Sequence, residues 1–176
     1  MAVVKLPAVA GATNGTIHIN LGGWSTSSTN FVIKYGEAYQ SLFPGYDLLA
    51  LDFRGAGWST PRFTCFENEA ERQAFLAGEG PLLGTGQDNF WARYERAEAF
   101  AKKCKKVAGK VGKYIGTYNT AVDHYRVMKA DGREKMSFWG VSSGTHVGHA
   151  IAALYPEVVD KFMLDGEYLV SGFFSC

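Results

Sequence analysis

The pentapeptide at residues 140–144, Gly-Val-Ser-Ser-Gly, has the G-x-S-x-G spacing of a nucleophilic serine on a sharp turn between a strand and a helix. Such a turn strains the backbone of the serine, and glycines two residues away on either side avoid clashes that larger residues would make. The turn also leaves the N–H of Ser143 free to stabilise an oxyanion at the positive N-terminus of the next helix. The spacing therefore predicts that Ser142 is the nucleophile of an acyl-transfer reaction.

The residues around the pentapeptide support this prediction. Because the chain has 21 glycines, five residues alone are weak evidence and need their context. The apolar stretch at residues 136–139 predicts a strand leading into the turn, and small residues over 143–154 predict a helix that packs closely on a sheet. A tight turn without catalysis is the alternative interpretation.

A second glycine loop, Leu21-Gly22-Gly23-Trp24, follows a strand-like run and precedes a predicted helix. An oxyanion hole needs another N–H from the loop after an earlier strand, and this loop has that place in the chain. Glycines there let the backbone approach a substrate oxygen. A simple glycine turn is the alternative.

The order of the remaining elements indicates an α/β protein with a mostly parallel sheet. Nearly continuous apolar runs are typical of strands buried on both faces, and here they alternate with helix-like segments. The predicted strands cover residues 16–21, 47–52, 135–139 and 161–164. The predicted helices begin near Asn30, at Thr120 and at Ser143, and the spacing of Thr120 and Asp123 predicts a capping box at the second of them.

A long polar segment over about residues 62–116 follows the second predicted strand. It contains two helix-like patches, near residues 67–76 and 89–107. We therefore predict one domain over residues 1–176 that carries a helical insertion on the surface of the sheet.

Three segments in this order resemble one family, the α/β-hydrolase-fold serine peptidases related to proline iminopeptidase and tripeptidyl aminopeptidase. They are Gly22-Gly23, the D-x-R-G-x-G-x-S stretch at residues 52–59, and the Trp-Gly-Val-Ser-Ser-Gly-Thr stretch at residues 139–145. The likeness covers nearly the whole chain but only the N-terminal half of such an enzyme. The resemblance implies a partial α/β-hydrolase fold.

The resemblance also implies an activity and its residues. Members cleave short peptides from the N-terminus or hydrolyse related esters and amides, without a cofactor. Ser142 would be the nucleophile, and Gly23, Trp24 and Ser143 fall at the oxyanion-hole positions. Many members are secreted, which would suit a disulfide between Cys65 and Cys104.

The sequence departs from this family in three places. Trp24-Ser25-Thr26-Ser27-Ser28 replaces the glycine-proline-glycine continuation of the oxyanion loop, and Ser143 stands where tyrosine is common. The fold also orders its triad as Ser, then Asp or Glu, then His. The histidines are His18, His124, His146 and His149, so none follows a plausible acid.

The missing triad members lead to a conditional prediction. Asp165, at the end of the fourth predicted strand, is a weak alternative for the acid. Without a general base a serine hydroxyl is a poor nucleophile, so we expect the acid and the histidine to come from a missing C-terminal half or a second chain. The alternative class is a non-catalytic, truncated hydrolase-fold protein, either a pseudoenzyme or a binding or scaffold subunit.

Composition and charge argue against several classes of binding partner. A net charge of +1 provides no field for nucleic acid or an anionic membrane, and no apolar run approaches a bilayer span. Metal and nucleotide sites lack the necessary residue patterns, so we expect a small peptide or ester as substrate. Asn14-Gly15-Thr16 is a glycosylation sequon and also a turn-forming Asn-Gly pair. The first residues do not have the pattern of a signal peptide. The sequence therefore does not decide the cellular compartment.

Overall fold

The computed structural model describes residues 1–9, 11, 14–24, 26–78 and 87–167, and for residues 87–89 it describes the backbone alone. Within these ranges the contacts separate two compact units, residues 1–62 with 114–176, and residues 63–113. The first unit contains the sheet and the second is helical. The predicted boundaries of the insertion, about 62–116, remain a prediction of the sequence.

The first unit contains a five-stranded sheet in the order β1-β3-β2-β4-β5. Its strands are β1 (Val3–Leu6), β2 (Gly15–Asn20), β3 (Tyr46–Leu51), β4 (Met136–Val141) and β5 (Val159–Asp165). β1 runs antiparallel to β3, and the other neighbouring pairs are parallel. The prediction of an α/β fold with a mostly parallel sheet is confirmed.

Three helices pack on this sheet: α1 (Ser28–Gln40), α4 (Thr117–Ala130) and α5 (Ser143–Leu154). Because side chains alternate between the faces of a strand, neighbouring residues of β4 enter different cores. Met136 and Phe138 lie in a cluster with residues of α4 and α5, while Trp139 packs on the cluster that includes Val32 of α1. Helices therefore cover both faces around β2 and β4, where the glycine loops begin.

The predicted capping box at Thr120 and Asp123 is wrong. α4 begins three residues earlier, with Gly116 as a cap that has no side-chain hydrogen bond. The Thr120 hydroxyl donates back to the Gly116 carbonyl, and the Asp123 carboxylate forms an ion pair with Arg54 at 2.6 Å. The local pattern predicted that the Asp123 carboxylate caps a helix, but in the structure this carboxylate binds Arg54, which is distant in sequence.

The second unit consists of α2 (Glu69–Ala77) and α3 (Gln87–Gly112). Cys65 and Cys104 form a disulfide within it, and Phe66, Phe75 and Phe100 stack with ring centroids 4.8–5.5 Å apart. This unit is small, and small domains bury little apolar surface, so a crosslink adds to the stability that the aromatic cluster provides.

Candidate active site

Ser142 occupies the turn between β4 and α5 in a conformation that L-residues avoid. Its φ is 52° and its ψ is −122°, and within the described ranges it is the single non-glycine residue with a positive φ. Such a conformation costs about 1–3 kcal/mol and persists only when the surroundings hold it. The serine side chain is exposed. The turn predicted from G-x-S-x-G is therefore present in the backbone itself.

Three hydrogen bonds hold the Ser142 backbone in this conformation. Its N–H donates to the carbonyl of Asp165 at 2.9 Å, which ties the turn to the end of β5. Its carbonyl accepts from the N–H of Thr145 at 2.9 Å and from the hydroxyl of Thr145 at 2.6 Å. Both backbone groups are thus satisfied, and the hydroxyl remains available for chemistry.

The flanking glycines are required by close backbone approach. A Cβ on Gly140 would lie 2.6 Å from the Gly144 carbonyl oxygen, and a Cβ on Gly144 would overlap the backbone carbonyl oxygen of Asn20. Real Cβ atoms do not approach other atoms so closely, and backbone cannot move aside as a side chain does. The two glycines let α5 begin directly above the ends of β2 and β4.

The Gly22-Gly23 loop lies against this turn. Both glycines have positive φ values, 73° and 57°, and a Cβ on Gly22 would clash with the Val141 carbonyl and lie 2.8 Å from the Ser143 nitrogen. In the described part of the chain, the backbone N–H groups of Gly23, Trp24 and Ser143 donate to no acceptor. The loop and the turn therefore bring unpaired N–H groups to one end of the sheet, as an oxyanion hole requires.

Asp52 anchors the far side of this loop, a role that sequence analysis missed. Its side chain is fully buried, and its carboxylate accepts from the N–H and hydroxyl of Thr29, the hydroxyl of Ser27 and the N–H of Trp58. A carboxylate at the N-terminus of α1 also stabilises that helix electrostatically. Ser27 caps the same helix through a hydrogen bond from the N–H of Asn30. The D-x-R-G-x-G-x-S stretch is thus a scaffold that connects β3 to the start of α1.

The sequence model of the family described as alpha/beta hydrolase fold matches residues 19–173 of the chain. The chain belongs to the α/β-hydrolase fold family. The matched region includes the glycine loop, the Asp52 scaffold and the serine turn.

The chain is similar to several curated proteins, two of which are peptidases by name. The chain is 29% identical over 154 residues to the tripeptidyl aminopeptidase of Streptomyces lividans, covering 86% of this chain and 28% of that protein. It is 27% identical over 171 residues to the serine protease Hip1 of Mycobacterium tuberculosis, covering 94% and 32%. It is 22% identical over 166 residues to the putative hydrolase YuaR of Escherichia coli, covering 94% and 30%. The chain spans about a third or less of these relatives, and the predicted resemblance to α/β-hydrolase serine peptidases is confirmed.

The histidines of this hydrolase domain have other partners. His18 and His124 face each other with their Nδ1 atoms 3.2 Å apart, and burial lowers the pKa of His18 to about 4 and that of His124 well below its ordinary value. His149 contacts Glu167 at 3.0 Å, and His146 is buried in α5. These contacts engage His18, His124 and His149 with groups other than the Ser142 hydroxyl.

Asp165 lies beside the nucleophile position, at the last residue of β5 and in register with Val141. Its backbone carbonyl contacts Ser142, while its side chain is exposed and forms no hydrogen bond within the described ranges. The structure thus places the predicted alternative acid at the correct end of the sheet. Its role as an acid remains a prediction.

The remaining candidates lie away from this end of the sheet. The side-chain amide of Asn14 donates to the Pro44 carbonyl and its backbone N–H donates to the Gly45 carbonyl, while Gly15 and Thr16 belong to β2. Glycosylation of Asn14 remains a prediction. Cys176 and Ser25 lie outside the described residues. In the part of the chain that is described, no three His, Cys, Asp or Glu side chains group as metal ligands, and no helix has the length and apolar composition to cross a membrane.

Proposed function

We propose that Ser142 is the nucleophile of a serine hydrolase that releases short peptides from the N-terminus of a substrate or hydrolyses related esters. The observation that carries the proposal is the exposed serine at a φ of 52°, between a strand end and a helix start. A strained backbone at a non-glycine residue is a feature of functional turns. The names of the matched relatives, a tripeptidyl aminopeptidase and a serine protease, support the substrate class.

The proposed reaction proceeds through an acyl-enzyme. The Ser142 oxygen attacks the substrate carbonyl carbon while its proton passes to a general base, and the carbonyl oxygen becomes an oxyanion. The N–H of Ser143 and an N–H from Gly23 or Trp24 donate to that oxyanion. Collapse breaks the bond to the leaving amine or alcohol, which takes the proton from the base. A water molecule then gives its proton to the same base and attacks the acyl carbon. The carboxylic acid product leaves, and the Ser142 oxygen takes the proton back from the base.

The general base of this mechanism is proposed to come from polypeptide beyond these 176 residues or from a second chain. His18 and His124 pair with each other on the opposite side of β2 from the α1 core, and His149 contacts Glu167. Loss of a triad member lowers the rate by several powers of ten. We therefore propose that the acid has the same origin and that the chain alone has little activity.

The alternative function is non-catalytic binding by a domain that keeps the turn without its base. Besides the missing base, one structural observation favours this non-catalytic alternative. β5 forms an edge of the described sheet, and apolar side chains of Phe43, Trp139, Phe162 and Met163 line a shallow depression on the adjacent face. Exposed apolar surface of this kind often marks an interaction site.

A fluorophosphonate probe distinguishes the two functions, since it reacts with activated serines. The purified chain is treated with the probe and the mass shift is measured, together with Ser142→Ala and Ser143→Ala. Labelling that disappears in Ser142→Ala but persists in Ser143→Ala supports the hydrolase, because Ser143 is proposed to act through its backbone N–H. A folded chain that takes no label means that Ser142 lacks its base within these residues, and the same variants are then tested in a longer polypeptide or with the second chain added. Labelling of Ser142 there supports the hydrolase, and its absence there supports the non-catalytic alternative.

A further inference from the structure

Asn20 connects the two halves of the proposed oxyanion hole. It is the last residue of β2, it has no exposed surface, and it pairs in register with Gly140 on β4. Its Oδ1 accepts the N–H of Gly22 at 3.0 Å, which closes a local turn two residues long. The side chain therefore sets the direction in which the chain leaves the sheet.

The same side chain also contacts the serine turn. A Cβ on Gly144 would overlap the backbone carbonyl of Asn20 and lie 2.9 Å from its Oδ1, so the first turn of α5 lies against both the main chain and the carboxamide of Asn20. On the other side, Gly22 itself lies against Val141 and Ser143. Asn20 thus lies next to both segments that carry the unpaired N–H groups, and its Oδ1 binds one of them.

The nitrogen of this carboxamide has no matching partner. Asn20 Nδ2 is buried and forms no hydrogen bond to any residue that the structure describes. An unpaired buried N–H₂ group destabilises the folded state, and an apolar residue of similar size would avoid that loss. What the carboxamide supplies at this position is therefore its oxygen.

We propose that Asn20 is the positioning residue of the oxyanion hole. By accepting the Gly22 N–H, it fixes the loop so that the next two N–H groups, of Gly23 and Trp24, remain unpaired beside that of Ser143. Asn20 is fully buried and does not touch substrate. The inference rests on the proposed function for its catalytic consequence, while the hydrogen bond to Gly22 is testable without it.

The first test is the kinetics of fluorophosphonate labelling, separated into reversible binding and the rate of bond formation. Asn20→Leu keeps the branched arrangement of side-chain heavy atoms and removes the acceptor, Asn20→Asp keeps the acceptor, and Thr120→Val is the matched control. Thr120 is also buried, and its hydroxyl forms one hydrogen bond, to the Gly116 carbonyl at the start of α4. We expect Asn20→Leu to slow bond formation by about 10- to 100-fold with unchanged binding, because oxyanion donors act in the transition state.

A matched control separates positioning from general stability. Thr120→Val is expected to remain within about threefold of the parent chain. Rescue by Asn20→Asp is measured in the amide exchange, because a carboxylate beside the site would itself oppose the oxyanion. Equal losses in Asn20→Leu and Thr120→Val, or parent-like labelling of Asn20→Leu, would overturn the proposal. If Asn20→Leu does not fold, Asn20→Ala replaces it with the same expected outcomes.

The second test measures amide hydrogen exchange of Gly22 by NMR. The parent chain and Asn20→Asp are expected to protect this amide, and Asn20→Leu to exchange it about 10-fold faster or more. Unchanged protection in Asn20→Leu overturns the positioning role whatever the labelling shows. If the parent chain takes no label, Ser142 lacks its base in this chain, and the exchange data alone decide the role of Asn20.

Discussion

The N–H of Ser142 donates to the backbone carbonyl of Asp165 at 2.9 Å, which joins the serine turn to the end of the neighbouring strand. The bond uses the main chain of Asp165, so it persists whatever side chain stands there. The Asp165 carboxylate is exposed at the same end of the sheet. A substitution of the Asp165 side chain therefore tests its role as an acid without removing the hydrogen bond that its backbone carbonyl forms with the turn.

Replacing Asp165 by Asn is expected to leave the turn intact and to change the rate of fluorophosphonate labelling by less than about threefold. The reason is that the turn depends on the carbonyl and the proposed acid lies elsewhere in the polypeptide. The measurement is the labelling rate beside the melting temperature. A fall of about 10³-fold or more with unchanged melting temperature would instead identify Asp165 as the triad acid.

Replacing Ser142 by Gly is expected to stabilise the domain relative to Ser142→Ala. Alanine keeps the penalty of a φ of 52°, which glycine does not suffer, while glycine gains entropy in the unfolded chain. The net difference is expected to be about 1 kcal/mol in the free energy of unfolding, measured with urea. Equal stability of the two variants would mean that the turn relaxes once the hydroxyl is gone.

Replacing Gly22 by Ala is expected to destabilise the domain by at least about 3 kcal/mol and to abolish labelling. The residue combines a φ of 73° with a Cβ position that overlaps the Val141 carbonyl. Gly132→Ala is the matched control, since its φ is 72° and nothing lies within 4 Å of its Cβ position. The control isolates backbone strain and is expected to cost about 1 kcal/mol. Similar losses in both variants would contradict the close contact between loop and turn.

The buried pair of His18 and His124 predicts a loss of stability as the pH falls from about 6.5 to 4. Below the ordinary pKa of 6.5 the unfolded chain binds protons that the folded chain, with the pKa of His18 lowered to about 4, does not. Desolvation is the largest cause of this shift, and the nearby charges of Asp131 and Lys5 act in opposite directions on it. His18 alone is expected to reduce the free energy of unfolding by about 3 kcal/mol across this interval.

Urea unfolding at several pH values checks this expectation. His124→Gln keeps a hydrogen-bonding side chain and removes one titrating group, so the pH dependence should become shallower. Thr120→Val is the control, because it changes a buried side chain that carries no titrating group. A parent chain whose stability is constant between pH 6.5 and 4 would show that the pair is not held neutral in the folded state.

The sequence predicted the strand, turn and helix around Ser142 closely, since β4 and α5 lie where the pattern placed them. Such elements depend on periodicity and on glycines within a few residues, which are local properties. Local patterns were misleading where a distant residue competed for the same group. The capping box at Thr120 failed because Asp123 pairs with Arg54, which is 69 residues away in the chain.

By itself the sequence determined the turn at Ser142, the fold class and the family, because these follow from motif spacing and from the order of strands and helices along the chain. Only the tertiary structure decided which groups surround that serine. The contact of Asn20 with Gly22 and Gly144, the burial of Asp52 and the pairing of His18 with His124 each join segments that strand order brings together. Sequence spacing does not encode such contacts, since they depend on the register and packing of several elements at once.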